Sequence, residues 1–294
     1  MSGGDRPHDR QRGPEERRFA VVGHVEWLDF AIVDHLPRAG EIVTAVDHFD
    51  AAAGGGAVAA VQLARLAGRV DFFSVVGADR LGGVAAEELR GPLGLDLHAA
   101  ARPGRSQRRA FTHVDAAAER TITVLGDRLV PHGADPLPWE LLERVDAVYF
   151  TGGDAEAAAA ARRARVLVAS ARAPEPLRAA GVTPDVVVAS EDDDKEMDGI
   201  AVFDTRPRWL VLTQGADGGR WEGADGSAGR WAPVAPPGPL VDSYGCGDSF
   251  AAGLTYGLGA GLGLDGALAV AARCGAWCAT GRGPYGRQLT AAEL

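Results

Sequence analysis

Cysteine is scarce in this chain of 294 residues: Cys246, Cys274 and Cys278. An odd number at irregular spacing excludes a disulfide framework. Cys274 and Cys278 would share a helix face, yet no His or further Cys completes a zinc set. They read as small buried thiols, in keeping with a reducing cytoplasm. Aromatic residues make up only 6%, against 40 glycines and abundant alanine, so the 46% apolar fraction must pack through small side chains. No apolar run approaches the ~20 residues of a membrane span. Basic residues are also in deficit, 30 against 40 acidic ones, for a net charge of −10. That balance argues against a nucleic-acid partner, because duplex binding rests on phosphate neutralisation. It leaves room for a small anionic ligand held by local backbone donors. Residues 1–18 are charged, carry Gly and Pro, and have no apolar core. This is not a secretion signal, and a disordered leader outside the fold is expected there.

Nucleotide and hydrolase motifs are missing too. There is no GxxxxGK[ST], no GxGxxG after the first strand, no HExxH and no GxSxG. P-loop, dinucleotide-binding, zincin and nucleophile-elbow readings therefore fail.

What is present alternates. Apolar runs at Phe19–Val22, Val70–Gly77, Ala147–Phe150, Val166–Ala169, Asp185–Ala189 and Trp209–Thr213 read as buried strands,. Between several of them lie helical stretches: one after Gly54-Gly55-Gly56, one from about Gly83 to Leu89, and an Ala-rich one capped by Asp154,. Ile42–Phe49 alternates as an exposed strand, and Arg108–Leu125 reads as two strands about a turn at Ala116–Glu119,. The expectation is one α/β domain over residues 19–294. It has a mostly parallel central sheet flanked by helices and a small inserted β-sheet, with strands drawn from about 26–50 and 108–125. Such an insertion commonly acts as a lid.

The most informative stretch is VDSYGCGDSFAAG, Val241 to Gly253. A glycine-rich turn running into a helix offers unpaired N–H groups at the positive end of the dipole, which is an anion site. Asp248 stands beside it. In a first helical turn an Asp is ordinarily a cap or dipole complement, and on these residues alone that reading comes first. The other reading is a base that takes a proton from a hydroxyl next to a phosphoryl group. Glu26 and Asp29 lie just beyond the first strand, where α/β sheets place ligand groups. The acidic run SEDDDKEMDG is either a solvated loop or a carboxylate source for hydrated Mg²⁺.

The chain resembles the ribokinase-like, or PfkB, family of carbohydrate kinases. DSYGCGDSFAAG is similar to that family's DTxGAGDxFxxG signature through Asp242, Gly245, Gly247, Asp248, Phe250 and Gly253, with Ser243 for Thr and Cys246 for Ala. GGGAVAAVQLARLAG is similar to the degenerate first signature, and LTQG and the closing helices follow in family order. The resemblance implies an ATP- and Mg²⁺-dependent transfer of phosphate to a hydroxyl of a sugar or sugar-like molecule. Asp248 would be the base and the N–H groups of Gly245, Cys246 and Gly247 the anion hole. Ser190, Thr213, Gly215 and Gly218 would serve ATP, and Asp193 would serve Mg²⁺ directly or through its waters. Asp242, Ser243 and Gly283 would hold a monovalent cation such as K⁺. Glu26, Asp29, Gly54 and Gly55 would meet the acceptor.

Three departures bear on the acceptor and the metal. The first signature's Asn falls on Ala59. The NxD carboxylate aligns with Leu28, so that Asp29 replaces it only with a shift of one residue. NxxE reads Ser190-Glu191-Asp192-Asp193. A nucleoside kinase, or a non-catalytic binding protein that kept the fold, is the alternative; an oxidoreductase lacks its fingerprint. A homodimer through the lid and a cytoplasmic location complete the expectation.

Overall fold

The computed structural model describes residues 17–294. The leader expected over residues 1–18 lies outside them, apart from Arg17 and Arg18. The chain runs β1 (Phe19–Val22), β2 (Glu26–Ile32), β3 (Asp47–Ala53), α1 (Gly55–Ala67), β4 (Asp71–Gly77), α2 (Arg80–Arg90) and β5 (Asp96–Arg102). It continues β6 (Arg109–Val114), β7 (Arg120–Leu125), β8 (Ala147–Phe150), α3 (Ala155–Ala161), β9 (Val166–Ser170), α4 (Pro174–Ala179), β10 (Val186–Ser190) and α5 (Asp194–Ile200). It closes with β11 (Trp209–Thr213), the β12 (Gly219–Gly223) and β13 (Ala228–Trp231) hairpin, α6 (Cys246–Gly259) and α7 (Gly263–Cys278).

Nine strands form the main sheet in the order β13-β12-β11-β10-β9-β8-β1-β4-β5. From β11 to β5 every pair is parallel; β12 and β13 add an antiparallel edge. The inner strands are short apolar runs because both of their faces are covered. Phe19 and Val21 join the core built with α1, α2, α6 and α7. Ala20 and Val22 join the core built with α3 and α4. Small residues set the spacing of the helical layer: a Cβ on Gly257 of α6 would lie 2.4 Å from Ala267 Cα of α7. The direction of winding reverses at β1, which pairs with β4 on one side and β8 on the other. In open α/β sheets the crevice outside such a switch point is where ligands bind.

The second sheet is the lid, ordered β3-β2-β6-β7. Strand β2 is antiparallel to β3 and parallel to β6, and β6 and β7 form the hairpin expected around residues 116–119. Leu28, Phe30, Ala110 and Val114 make its inner face and pack on Val58 of α1 and on Tyr244. Phe30 stacks on Phe49 at 4.5 Å and meets Tyr244 edge-on at 5.3 Å.

Three local expectations change. The strand read at Ile42–Phe49 begins only at Asp47; Ile42 is 96% exposed, so the alternation before Asp47 has no face to bury. Helix α2 starts at Arg80 rather than Gly83, because Asp79 caps it by accepting from Gly82 N. Strand β5, DLHAAAR, lies at the sheet edge and has no sequence pattern of its own.

The C-terminal segment is pinned to α1 by one buried side chain. Gln62 Nε2 donates to Leu289 O at 2.7 Å, and Leu289 N donates to Gln62 Oε1 at 3.2 Å. Gln62→Leu would leave both backbone groups buried and unpaired. A loss of about 2–4 kcal/mol in urea unfolding, at unchanged m-value, is the expected outcome.

Candidate functional site

Two helix N-termini meet at Asp248. The turn before α6 needs glycine at 245: φ is +81°, and a Cβ there would lie 2.9 Å from Val58 Cγ1. Tyr244 ties that turn to α1, its hydroxyl accepting from Gly54 N at 3.1 Å. At Gly55, the first residue of α1, a Cβ would fall 2.7 Å from Asp248 Oδ1. The carboxylate thus rests where only a glycine backbone lets it approach. Asp79, Asp154 and Asp193 cap their helices by accepting backbone N–H bonds; Asp248 does not cap α6 in this way. It is set deep in the protein and opens only partly to the cleft. The desolvation that results pushes its pKa up to about 6. The charge of Glu196 adds to the rise, while Arg172, Arg120 and Arg128 oppose it. The arrangement is a carboxylate with little internal solvation beside free helical N–H groups. It can accept a proton while those groups hold negative charge.

Glu26 reaches the same cleft. It lies on the buried face of β2, with Arg108 Nε at 2.9 Å and His24 Nε2 at 3.6 Å from Oε1. Burial raises its pKa against the pull of Arg108 and Arg128. Asp29 does not come to the cleft. It is odd-numbered on a strand whose even residues face inward, and it pairs with Arg109 at 2.8 Å on the outer face of the lid. Ala59 likewise faces the main core; the residue of α1 that packs against the turn before α6 is Val58.

Four further residues complete the wall: His24, Arg128 and Arg172, which no motif marked, and Glu196 from the acidic run. Arg128 Nη2 donates to His24 Nδ1 at 2.9 Å and to Thr151 O at 2.8 Å, joining the ends of β1 and β8. Because a guanidinium only donates, Nδ1 is the acceptor and the neutral imidazole carries its proton on Nε2, towards Glu26. Burial and then the charges of Arg128 and Arg108 hold His24 well below the usual histidine range. Arg172, past the end of β9, bonds Glu196 and Asp193. Glu196 Oε2 in turn accepts from Ser190 N at 2.7 Å.

Ser190 and Thr213 end adjacent parallel strands, and Gly215 and Gly218 follow with φ of +53° and +85°. A Cβ on Gly218 would lie 2.4 Å from Trp231 O, so the backbone there sits tight against β13. Asp193 caps α5, accepting from Lys195 N at 3.0 Å and Glu196 N at 3.2 Å. No group of three or more His, Cys, Asp or Glu able to hold a metal occurs among the described residues. Mg²⁺ needs only one or two carboxylates beside its waters and substrate phosphates; Asp193 has Oδ1 on two backbone N–H groups and Oδ2 on Arg172, so it would meet the ion only through water. The monovalent-cation residues fit less well. Asp242 accepts from Tyr244 N at 2.8 Å and from Gly283 N at 3.2 Å. Arg120 of β7 donates to Ser243 O at 2.9 Å and Ser243 Oγ at 3.0 Å. A guanidinium already stands on the carbonyl that a free cation would use. All three cysteines are free, with Cys274 and Cys278 buried in α7.

The match to the pfkB family carbohydrate kinase model spans residues 16–290. The chain belongs to that family, and the activity at family level is that of an ATP-dependent sugar or nucleoside phosphotransferase. Ribokinase from Giardia lamblia superposes with a TM-score of 0.77 at 15% identity, over 94% of this chain and 97% of that one. A microbiome-derived acarbose kinase superposes with a TM-score of 0.73 at 22% identity, over 94% and 97%. An acarbose 7(IV)-phosphotransferase of Actinoplanes sp. is 41% identical over 76 residues, which are 26% of this chain and 25% of that protein. The chain therefore matches only a quarter of that relative's length. No helix among the described residues is long and apolar enough to cross a membrane.

The raised pKa of Asp248 has a stability signature. Below about pH 4 the group is protonated in both the folded and unfolded chain and costs nothing. The cost grows as the pH rises from about 4 to about 6 and is complete above that. Partial access to the cleft screens part of it. Asp248→Asn is therefore expected to stabilise the protein by about 1–2 kcal/mol near pH 8. The gain over wild type should vanish towards about pH 4 when unfolding is followed across that range.

Proposed function

We propose that the protein transfers the γ-phosphoryl group of ATP to a hydroxyl of a sugar or sugar-like molecule, with Asp248 as general base. The observation that carries this is the deep-set carboxylate at the meeting of α1 and α6, with a pKa near 6 and no capping bond to use it up. Asp248 takes the acceptor's proton. The N–H groups of Gly245, Cys246 and Gly247 face the oxygens of the group in transfer. Glu26 and the Gly54–Gly55 turn hold the acceptor. Ser190, Thr213, Gly215 and Gly218 line the nucleotide end, and Asp193 would meet Mg²⁺ through its water shell. Bound Mg²⁺ supplies charge neutralisation at the phosphates. The lid excludes water from the reacting groups. The two acarbose-phosphorylating relatives support a sugar-like acceptor, and acarbose belongs in any panel of candidates. Strand β7, exposed along its length with Ile122, Val124 and Leu125, is the edge along which a second copy would pair into a homodimer,.

The test is ADP formation against sugars, sugar phosphates, nucleosides and acarbose. Asp248→Asn should lower kcat by about 10²–10⁴-fold. Wild-type kcat/KM should fall about tenfold per unit below about pH 6 and be level above it, since only the ionised carboxylate accepts a proton,. Turnover that survives in Asp248→Asn would remove this residue as base.

In this reading Arg120 supplies the positive charge beside Ser243 and Asp242 in place of a diffusible ion. Turnover should then agree within about twofold in K⁺, Na⁺ and choline salts at equal ionic strength. An order-of-magnitude activation by K⁺ would contradict it.

A further inference from the structure

The acceptor end of the cleft is built against the charge of the rest of the molecule. The chain carries a net charge of −10, yet Arg108, Arg128 and Arg172 all act on His24 and Glu26. Two of these guanidiniums rest on carboxylates: Arg108 on Glu26, and Arg172 on Glu196 and Asp193. Arg128 has no carboxylate in contact among the described residues. Its partners are the neutral His24 and the Thr151 carbonyl, and its Nε is buried with no hydrogen-bond partner. Burial pushes its pKa down. A charge drawn out of water is ordinarily paired, and one left with neutral partners and an orphaned donor is costly. Holding His24 and Thr151 together would not require a full charge. Arg102 shows the usual arrangement in this fold, its two terminal nitrogens each meeting an oxygen of Asp135 at 2.8 Å. No described residue plays the part of Asp135 for Arg128.

We propose that Arg128, flanked by Arg108, is the seat for an anionic group carried by the acceptor, a carboxylate or a phosphate ester, so that the substrate is an acidic or already phosphorylated sugar. This rests on the kinase reading above. The seat and the base lie at opposite ends of one short run of contacts. Arg128 touches His24, and a Cβ on Gly55 would lie 3.5 Å from His24 Cε1 and 2.7 Å from Asp248 Oδ1. An anion fixed by a guanidinium at one end orients a hydroxyl towards the carboxylate at the other. A neutral sugar leaves the guanidinium unpaired in the closed cleft and is discriminated against.

The test compares D-glucose, D-gluconate and D-glucose 6-phosphate, and the corresponding ribose set, with wild type, Arg128→Gln and Arg128→Lys. For at least one anionic compound, kcat/KM should exceed that of its neutral parent by about 100-fold. Arg128→Gln should remove that preference mainly through the acceptor KM, with the KM for ATP unchanged within about threefold. Arg128→Lys should restore part of it. In a second arm, thermal protection by the same anions without ATP should be present in wild type and lost in Arg128→Gln. Neutral sugars used as well as their anionic partners would overturn the proposal. So would a raised KM for ATP with the anion preference intact, which would place the guanidinium on the phosphoryl group in transfer. Protection that is absent, or unchanged in Arg128→Gln, would overturn it as well. If no acceptor supports ADP formation, the kinase reading fails, and the binding arm still decides the seat.

Discussion

The close approach of the Asp248 carboxylate to the backbone of Gly55 is the constraint on which the site depends. It requires α1 and α6 to point their N-termini at one place. That in turn requires Gly54 and Tyr244 to be joined, as they are by a hydrogen bond at 3.1 Å. It also requires no side chain at the two junctions: a Cβ on Gly55 would meet Asp248 of α6, and one on Gly245 would meet Val58 of α1. The small-residue composition and the chemistry of the cleft are therefore linked. Bulkier helices would push the two N-termini apart and return Asp248 to water, with an ordinary pKa.

The cleft divides into two electrostatic halves. Beyond the ends of β9 and β10, Arg172 is balanced by Glu196 and Asp193, and the backbone of Ser190 is held by the same glutamate. Around His24 and Glu26, positive charge exceeds negative, and His24 is kept neutral between its neighbours. Asp248 lies between the halves and senses arginines from both. Its pKa reflects a contest that burial wins, with the charge of Glu196 adding to the rise.

Much of the fold was legible because a parallel sheet covered on both sides writes its strands as short apolar runs. VVVAS and WLVLT left little choice of state. The placing of Asp248 beside the Gly245–Gly247 turn was legible because a glycine turn and its helix are contiguous in sequence. The arginine-rich wall beside it was not, for a physical reason. His24, Arg108, Arg128 and Arg172 come from four separate segments, and the pairing of β1 with β8 is what brings the first and third together. Parity separated Glu26 from Asp29: three residues apart on a strand means opposite faces. The same kind of one-residue difference put Val58, rather than Ala59, against the turn before α6. Arg120 carried no motif, and only the lid's folding over Ser243 shows what it touches.

The bond from Arg120 to Ser243 joins the lid hairpin to the turn that precedes α6. A dissolved ion would visit that carbonyl at a rate set by the medium. A side chain on a hairpin is present at an effective concentration fixed by the fold. The charge beside the turn is therefore coupled to the position of the lid and not to the composition of the solution. Any displacement of β7 from Ser243 would carry that guanidinium away from the turn together with the lid.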